Sequence, residues 1–314
     1  MQIFPGVHEI RSDFGGRWLQ QYLFVGESVV LVDAGVYETP ARVIFPYFET
    51  IGLSPQRLAM VIGMHADIDH HGGLPAIKDV SPSTLLACHD GDKQLIEDPH
   101  YLYQNRYNFL AHGHELGLGS EVMAHCPRLC KIDALLSAED TIQLAQDWRL
   151  RIWHVPGHSD GHLAIYDEKH GAAFTSDAVQ TNGYATVDGA MAFGPTYYSV
   201  NAYLATIQFL EGKEIDHMFT GHWPALHGNE VHAFLASSRE FVERADAEIK
   251  DFLVTHCGGA TLKQMISALS PRLGTWPDNG AIFLQFALYG HLMRMEQAGI
   301  VRRSAVVPAS YVLV

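Results

Sequence analysis

Seven histidine and aspartate side chains that follow apolar runs are the residues of this sequence best suited to metal chemistry. Four lie within one short stretch, HADIDHHGG: His65, Asp67, Asp69 and His70. Three more follow later runs: His158, Asp177 and His222. Imidazole nitrogens and carboxylate oxygens are common ligands of zinc, manganese and iron. The pattern therefore predicts a site for two metals.

A strand and a turn must position the first four of these residues. Leu58 to Gly63 reads as a short buried strand, and Gly72-Gly73 before Leu74 reads as a turn entering a helix. The polar side chains then lie on a loop, which can direct neighbours toward two centres, whereas an extended strand alternates them between its faces. The alternative is a solvated turn, because Asp is common in turns without any metal.

The later candidates also follow predicted strands. His158 comes after Leu150 to Val155, where Pro156-Gly157 ends the run. Asp177 follows Ala172 to Thr175, and His222 follows Met218 to Gly221. His154, His162 and His71 are competing histidines. We rank His154 lowest because a histidine within a strand is more often part of the core, and we expect His162 to bond a ligand or contact the substrate.

The order HxxxDH, GHS, Asp and GH, preceded by Val32-Asp33-Ala34-Gly35, resembles that of the metallo-β-lactamase superfamily of hydrolases. The resemblance covers about the first 228 residues. It implies an α/β fold, a four-layer αβ/βα sandwich in which two mostly antiparallel sheets pack face to face with the metals at one rim. We expect a catalytic domain over residues 1–228 and a small, mainly helical C-terminal domain over residues 229–314.

The resemblance also implies a ligand set. The first metal would be bound by His65, Asp67 and His158. The second would be bound by Asp69, His70 and His222, and Asp177 would bridge the two. Asp67 is a departure, because the family usually has histidine there. The added oxygen ligand suits iron or manganese as well as zinc, which remains our first expectation. Asp67 could also be too short to bind, leaving a weakened or single-metal site.

The expected function is that of a dinuclear metal-dependent hydrolase, in which a metal-bound hydroxide attacks an ester, lactone or thioester carbonyl. Asp69 would anchor the attacking water, and His162 would contact the leaving group or the oxyanion. Two alternatives stay open. One is a diiron oxidoreductase reacting with dioxygen or nitric oxide, since flavodiiron-like members place a carboxylate at the position of Asp67. The other is a degenerate metal-binding regulatory protein.

Composition is that of a soluble globular enzyme, with 47% hydrophobic and 18% charged residues among 314. The net charge of −14 argues against nucleic-acid binding, which requires clustered Lys and Arg. We find no membrane-spanning run and no signal peptide, and four dispersed cysteines give no disulfide framework. We expect a cytoplasmic protein with a small-molecule substrate and no nucleic-acid or membrane partner.

Two aromatic segments flank the predicted site residues. Asp90 to Ala124 reads as helix and loop and would form either a lid or a packing surface, and Gln180 to Asn201 has the glycine and aromatic content of a binding loop. Beyond Gly228 we predict helices from Val231 to Leu253 and from Ala281, then a hairpin around Pro308. This tail resembles a winged helix, and its few arginines favour packing, pocket closure or homodimer formation over DNA binding.

Overall fold

The computed structural model describes residues 1–314. Its first half forms a seven-stranded sheet whose strands neighbour one another in chain order. They are β1 (Gln2–Phe4), β2 (Val7–Phe14), β3 (Arg17–Val25), β4 (Val29–Val32), β5 (Leu58–Ile62), β6 (Leu85–Cys88) and β7 (Ala134–Leu135). Pairs from β1 to β4 are antiparallel, and pairs from β4 to β7 are parallel. The four apolar residues of β4 are all buried, as expected for an interior strand covered on both faces.

Short helices connect the parallel strands and cover the outer face of this sheet. They are α1 (Phe45–Thr50), α2 (Ile68–His71), α3 (Leu74–Val80), α4 (Asp90–Glu97), α5 (Pro99–Leu102) and α6 (Ala111–His114). The apolar side chains Phe48, Ile77 and Ile96 pack in one cluster with Leu31 of β4 and Val61 of β5. The segment after β6 is a series of helical turns, as predicted for Asp90 to Ala124.

The second half continues with the strands of another sheet. The elements are β8 (Thr141–Ala145), β9 (Trp148–His154), β10 (Leu163–Asp167), β11 (Ala172–Ser176), β12 (Tyr184–Ala185), β13 (Met191–Phe193), α7 (Val200–Glu211), β14 (His217–Thr220) and β15 (Leu226–His227). The six-stranded sheet has the order β15-β14-β11-β10-β9-β8, and β12 pairs with β13 as a separate ribbon. Only the β11–β14 pair of this sheet is parallel.

The two sheets pack face to face through apolar side chains. Phe24 of β3 contacts Phe174 of β11 with ring centroids 4.9 Å apart, and Phe174 stacks on Phe219 of β14 at the same separation. Alternation along the strands places these residues inward. The predicted α/β four-layer sandwich is confirmed. The first sheet is more parallel than expected, because its last three connections pass through helices.

The C-terminal segment contains α8 (Asn229–Thr255), β16 (Ala260–Thr261), α9 (Leu262–Leu273), α10 (Leu284–Gln297), β17 (Val301–Arg303) and β18 (Ser310–Leu313). Its three strands form a small sheet, and Thr261 and Gln264 form a capping box that begins α9. The predicted helix from Ala281 is a 3-10 turn until Leu284, where α10 begins. The chain contains no helix with both the length and the apolar character needed to cross a membrane.

Apolar residues of α8, α9 and α10 belong to the same core cluster as residues of the second sheet and α7. Phe241 of α8, Leu288 of α10 and Tyr203 of α7 are all part of it. This packing places the C-terminal helices close to the strand ends that carry the predicted metal ligands.

Candidate metal centre

The strand ends that carry the predicted ligands meet at one rim of the sandwich. Asp33 follows β4, and its Oδ2 accepts a hydrogen bond from the hydroxyl of Ser176, the last residue of β11, at 2.9 Å. The same oxygen accepts the Nδ1–H of His70 at 2.7 Å. Asp33 also accepts the backbone N–H of Met64 at 2.9 Å. This buried carboxylate therefore joins the two sheets and orients a predicted ligand.

The segment expected to be a loop after β5 is partly helical, which corrects the sequence prediction. The N–H groups of His70 and His71 both bond to the carbonyl of Asp67, at 2.9 and 3.1 Å, and so begin the short helix α2. Successive helical residues point in directions about 100° apart. The turn thus separates Asp69 from His70 without the irregular loop that we expected.

Four of the predicted ligands surround one point and form what we call the Asp69 set: Asp69, His70, Asp177 and His222. The Nε2 atoms of His70 and His222 are 3.2 Å apart. Asp177 Oδ2 lies 3.8 and 3.4 Å from these two nitrogens, and Asp69 Oδ2 lies 3.6 Å from that of His222. Asp177 Oδ1 is buried without a hydrogen-bond partner. Two nitrogens and two carboxylates in this arrangement fit a divalent cation.

Hydrogen bonds prepare both histidines of the Asp69 set to act as ligands. The Nδ1–H of His70 donates to Asp33, and the Nδ1–H of His222 donates to the carbonyl of Trp18 at 2.7 Å. Each bond leaves Nε2 directed toward the other ligand atoms, where a metal can replace a proton. Burial alone would lower the pKa of His70, but the carboxylates of Asp177 and Asp33 raise it to about 10. The site therefore attracts positive charge.

The remaining predicted ligands form what we call the His65 set: His65, Asp67 and His158. Asp67 Oδ2 lies 2.9 Å from His158 Nε2 and 3.7 Å from His65 Nε2. Both ring nitrogens of His65 are buried without a hydrogen-bond partner. Burial and the neighbouring histidines hold the pKa of His65 well below its ordinary value, so its imidazole is neutral.

Arg106, which the sequence did not identify as a site residue, forms an ion pair with Asp67. The Nε and Nη2 atoms of Arg106 donate to the two carboxylate oxygens of Asp67 at 2.8 and 3.1 Å, and Nη1 donates to the carbonyl of His158 at 2.8 Å. The hydroxyl of Tyr107 adds a bond to Asp67 at 3.2 Å. Burial would raise the pKa of the Asp67 carboxyl, but the charge of Arg106 holds it well below its ordinary value.

Similarity to known proteins agrees with this geometry. Residues 19–222, more than half of the chain, match the family model of the metallo-beta-lactamase superfamily. The chain belongs to the metallo-beta-lactamase superfamily. The resemblance inferred from the motifs is thereby confirmed, and members of this superfamily bind divalent metals. The matched range includes every predicted metal ligand.

Two solved structures of the superfamily fold cover the whole of this chain. A metallo-beta-lactamase family protein from Thermus thermophilus is 20% identical, with a TM-score of 0.76, and is itself covered completely. A beta-lactamase domain protein from Burkholderia ambifaria is 17% identical, with a TM-score of 0.77, and 93% of it is covered. At these identities the likeness shows the fold alone.

A curated relative is the acyl-coenzyme A thioesterase MBLAC2 from Gallus gallus. It is 26% identical over 159 residues, which make up 51% of this chain and 52% of the relative. The alignment therefore spans about half of the length of each protein.

The other histidines that competed for ligand roles occupy different places in this superfamily site. His162 is buried, bonds the carbonyl of Thr175 through Nε2 at 3.1 Å, and stacks on His65. His154, the last residue of β9, bonds the carbonyl of Asp160 and stacks on His89, so it contacts neither ligand set. His71 is buried with its Nε2 unpartnered, and burial lowers its pKa to about 4.

Tyr184 is a second residue at the site whose role the sequence did not reveal. Its hydroxyl donates to Asp177 Oδ2 at 2.7 Å and lies 2.6 Å from the amide nitrogen of Gln180. The aromatic content of the Gln180 to Asn201 segment was the available signal, but it did not distinguish Tyr184 from Tyr197 and Tyr198. In the structure, the Tyr197 hydroxyl bonds His291 in the C-terminal segment instead.

A cavity of about 320 Å³ lies directly over the Asp69 set. Apolar side chains from distant parts of the chain form three of its walls. One wall is Phe14 and Phe193, another is Leu118 and Val122 of the segment Asp90 to Ala124, and the third is Phe283 and Phe286 at the start of α10. Asp67, Asp69, Asp177 and His222 contribute to its lining, whereas His65, His158 and His162 do not. Arg17 also lines the cavity, with its guanidinium 4.8 Å from the ring centroid of Phe193.

Proposed function

We propose that this chain is a metal-dependent hydrolase that cleaves the acyl carbonyl of a small thioester, with esters and lactones as related substrates. The observation that carries the proposal is the Asp69 set, four converging donors beneath a largely apolar cavity. Cavities of this size accommodate small molecules. The name of the Gallus gallus relative, an acyl-coenzyme A thioesterase, supports the choice of thioester within this class.

A divalent metal bound by the Asp69 set would supply an acidified water and polarise the substrate carbonyl. The chain's own residues supply the rest of the chemistry. Asp69 faces the cavity, where its carboxylate is placed to hold the attacking water. Tyr184 fixes the orientation of Asp177 through its hydrogen bond. His162 remains a proposed contributor, and its stacking on His65 favours a positioning role.

The cavity wall suits the acyl part of such a substrate, and Arg17 suits the leaving part. Phenyl and aliphatic side chains would bury an acyl chain and exclude water from the carbonyl. The Nε of Arg17 is buried without a hydrogen-bond partner. Its guanidinium is held between Phe14 and Phe193, at 5.7 and 4.8 Å from their ring centroids. This cation is placed to neutralise an anionic group on the leaving thiol.

The test is a hydrolysis assay on metal-stripped protein reloaded with zinc, manganese or iron. The substrates are acyl-coenzyme A thioesters of increasing chain length, the same acyl groups on uncharged thiols, simple aryl esters and lactones. We expect metal-dependent thioester cleavage that is lost in Asp177→Asn. Protein that carries metal but hydrolyses none of these carbonyl compounds would refute the proposal.

The diiron alternative rested on Asp67 as an additional oxygen ligand. Both carboxylate oxygens of Asp67 are engaged by Arg106, which removes this support. The degenerate alternative is opposed by the complete Asp69 set. Hydrolysis is therefore the function that the site supports best.

A further inference from the structure

The two halves of the predicted dinuclear site differ in their readiness to bind a cation. In the Asp69 set, the buried Asp177 Oδ1 lacks a partner, and two histidine nitrogens face each other. In the His65 set both ring nitrogens of His65 also lack a partner, but Asp67 is bonded to a guanidinium whose side chain is only 5% exposed. Arg106 lies within the same shell of side chains, with Nη2 3.3 Å from His158 Nε2. A positive charge is thus already present there.

Hydrogen bonding also fixes the tautomer of His158. Gln180 Oε1 accepts the N–H of Thr196 at 2.8 Å, which identifies the other terminal atom as the amide nitrogen. This nitrogen lies 2.8 Å from His158 Nδ1 and donates to it. A neutral imidazole that accepts at Nδ1 carries its proton on Nε2. The Nε2–H of His158 then donates to Asp67 at 2.9 Å, so Nε2 offers no lone pair to a metal. The longer separation of 3.3 Å between Nε2 and Arg106 Nη2 is then a contact between two donors and not a hydrogen bond.

This tautomer is the opposite of the one in the Asp69 set. His70 and His222 donate through Nδ1 and present Nε2 lone pairs, whereas His158 accepts through Nδ1 and presents a proton. Histidine is therefore oriented as a metal ligand in the Asp69 set and as a hydrogen-bond donor to Asp67 in the His65 set.

The ring orientation of His162 is unfavourable for a three-histidine site in place of Asp67. Its ring lies near His65 and His158, but it stacks on His65 with centroids 4.5 Å apart and planes 22° apart. A metal bound by an imidazole nitrogen lies close to the plane of the ring, along the lone pair. The ligand nitrogens of the three histidines lie within 4.8 Å of one another, but a metal shared by His65 and His162 would lie out of the plane of at least one of these two nearly parallel rings.

We propose that Arg106, held by Asp67, occupies the first metal position, so that the folded chain binds a single divalent metal at the Asp69 set. Asp67 is then the anchor of a fixed guanidinium. The positive charge that a first metal would bring beside the cavity comes from Arg106. Arg106 and Asp67 both line that cavity, within reach of a substrate over the Asp69 set. This inference rests on the metal dependence in the proposed function and specifies its stoichiometry.

Metal titration of the stripped full-length chain tests the proposal. Calorimetry with zinc chloride and, separately, manganese chloride gives the stoichiometry and affinity, and plasma mass spectrometry after desalting gives the retained metal. We expect one tightly bound metal per chain, with any second event weaker by more than about 100-fold because it must break the buried Arg106–Asp67 pair. Two metals with affinities closer than that would overturn the proposal.

Two variants separate the roles of the ion pair. Arg106→Met keeps an unbranched apolar side chain but removes the guanidinium and frees Asp67, and we expect it to bind two metals. A folded Arg106→Met protein that still binds one would overturn the assignment of Arg106. Asp67→Asn removes a supposed ligand, and we expect it to keep one metal with wild-type affinity. Loss of the tight metal in Asp67→Asn would overturn the proposal even if Arg106→Met fails to fold.

Arg17→Gln is the matched control, because it removes a cation from the same cavity without contact to Asp67. We expect it to bind one metal, and a rise to two would overturn the specific role of Arg106. Metal content is read without turnover, so the outcomes stay distinct. A one-metal chain that hydrolyses no carbonyl compound would refute the proposed function alone, and a hydrolase with two equally bound metals would refute only this inference.

Discussion

Replacing Asp33 with asparagine should weaken metal binding although Asp33 belongs to neither ligand set. The carboxylate accepts three hydrogen bonds, from Met64 N–H, His70 Nδ1–H and the Ser176 hydroxyl. Asparagine has nearly the same shape but only one acceptor oxygen. If that oxygen keeps the bond to Met64, the amide N–H₂ faces His70. His70 is then favoured to accept through Nδ1, which moves its proton to Nε2 and blocks the lone pair aimed at the metal. The Ser176 hydroxyl, 3.1 Å from Nδ1, is a weaker acceptor than the carboxylate that is lost.

The size of the effect follows from the bond that is lost. A hydrogen bond to a buried charged group contributes about 1.5–3 kcal/mol, and loss of a carboxylate that orients a ligand histidine typically lowers metal affinity about 10–100-fold. These two values agree, because a tenfold change corresponds to about 1.4 kcal/mol. Ser176→Ala removes a hydroxyl that donates to the same carboxylate and lies 3.1 Å from His70 Nδ1, but it leaves the Asp33–His70 bond and therefore the tautomer of His70 unchanged, so its effect should stay below about tenfold.

The assay is competition for zinc between the protein and a chromogenic chelator, with circular dichroism to confirm folding. An Asp33→Asn protein that is folded and binds zinc within about twofold of the wild type would refute the tautomer argument, because that argument requires a loss of at least about tenfold. An effect of Ser176→Ala as large as that of Asp33→Asn would refute it too, since general loosening of the strand ends would then explain both.

Three further predictions concern other parts of the molecule. Arg17→Gln should raise KM about tenfold for acyl-coenzyme A thioesters and leave KM for uncharged thioesters unchanged in steady-state assays; equal effects on both would remove Arg17 from leaving-group recognition. Tyr184→Phe should lower zinc affinity severalfold and the free energy of unfolding by about 1 kcal/mol, because Asp177 loses its phenolic donor; unchanged chelator competition would contradict this. Burial would raise the pKa of Asp246, but hydrogen bonds from His291 and Arg294 lower it. The ionised Asp246 therefore stabilises the fold fully above the pKa of about 3.9 that an aspartate has in the unfolded chain, and this stabilisation is lost as the pH falls further. Asp246→Asn should therefore lower the free energy of unfolding by about 1–3 kcal/mol at neutral pH. In denaturant titrations this difference from the wild type should shrink below about pH 4. A difference that is constant with pH would contradict this assignment.

The elements that carry the site could be predicted from sequence because local patterns determine them. The apolar run before His65, the break at Pro156-Gly157 and the diglycine at Gly72 each correspond to a structural boundary. We could also predict that these strand ends meet, because the order of the motifs matches that of a known superfamily. The helical start of α2 was missed because two bonds to one carbonyl are enough to form it, and no periodic pattern marks so short a helix.

The contacts of Arg106 and Tyr184 could not be predicted in the same way. Arg106 meets Asp67 across 39 positions of chain, through an insert whose turns set its direction. The sequence identified the aromatic residues of that insert, but it offered no means of choosing which side chain faces the rim. Similarly, three tyrosines stood in the segment after Asp177, and only tertiary packing placed Tyr184 on Asp177 and Tyr197 on His291. Residues that support a ligand are harder to find than the ligands, because no spacing rule links them.

The metal ligands and one side of the cavity wall come from different parts of the polypeptide. Every member of the Asp69 set lies before residue 223, whereas Phe283 and Phe286, which close one side of the cavity, belong to the C-terminal segment. Substitutions in that segment can reshape the cavity above the Asp69 set and leave the coordination chemistry untouched. Selection acting on the last part of the gene can therefore change substrate preference while the reaction type is inherited unchanged, and libraries for altering specificity are best directed there.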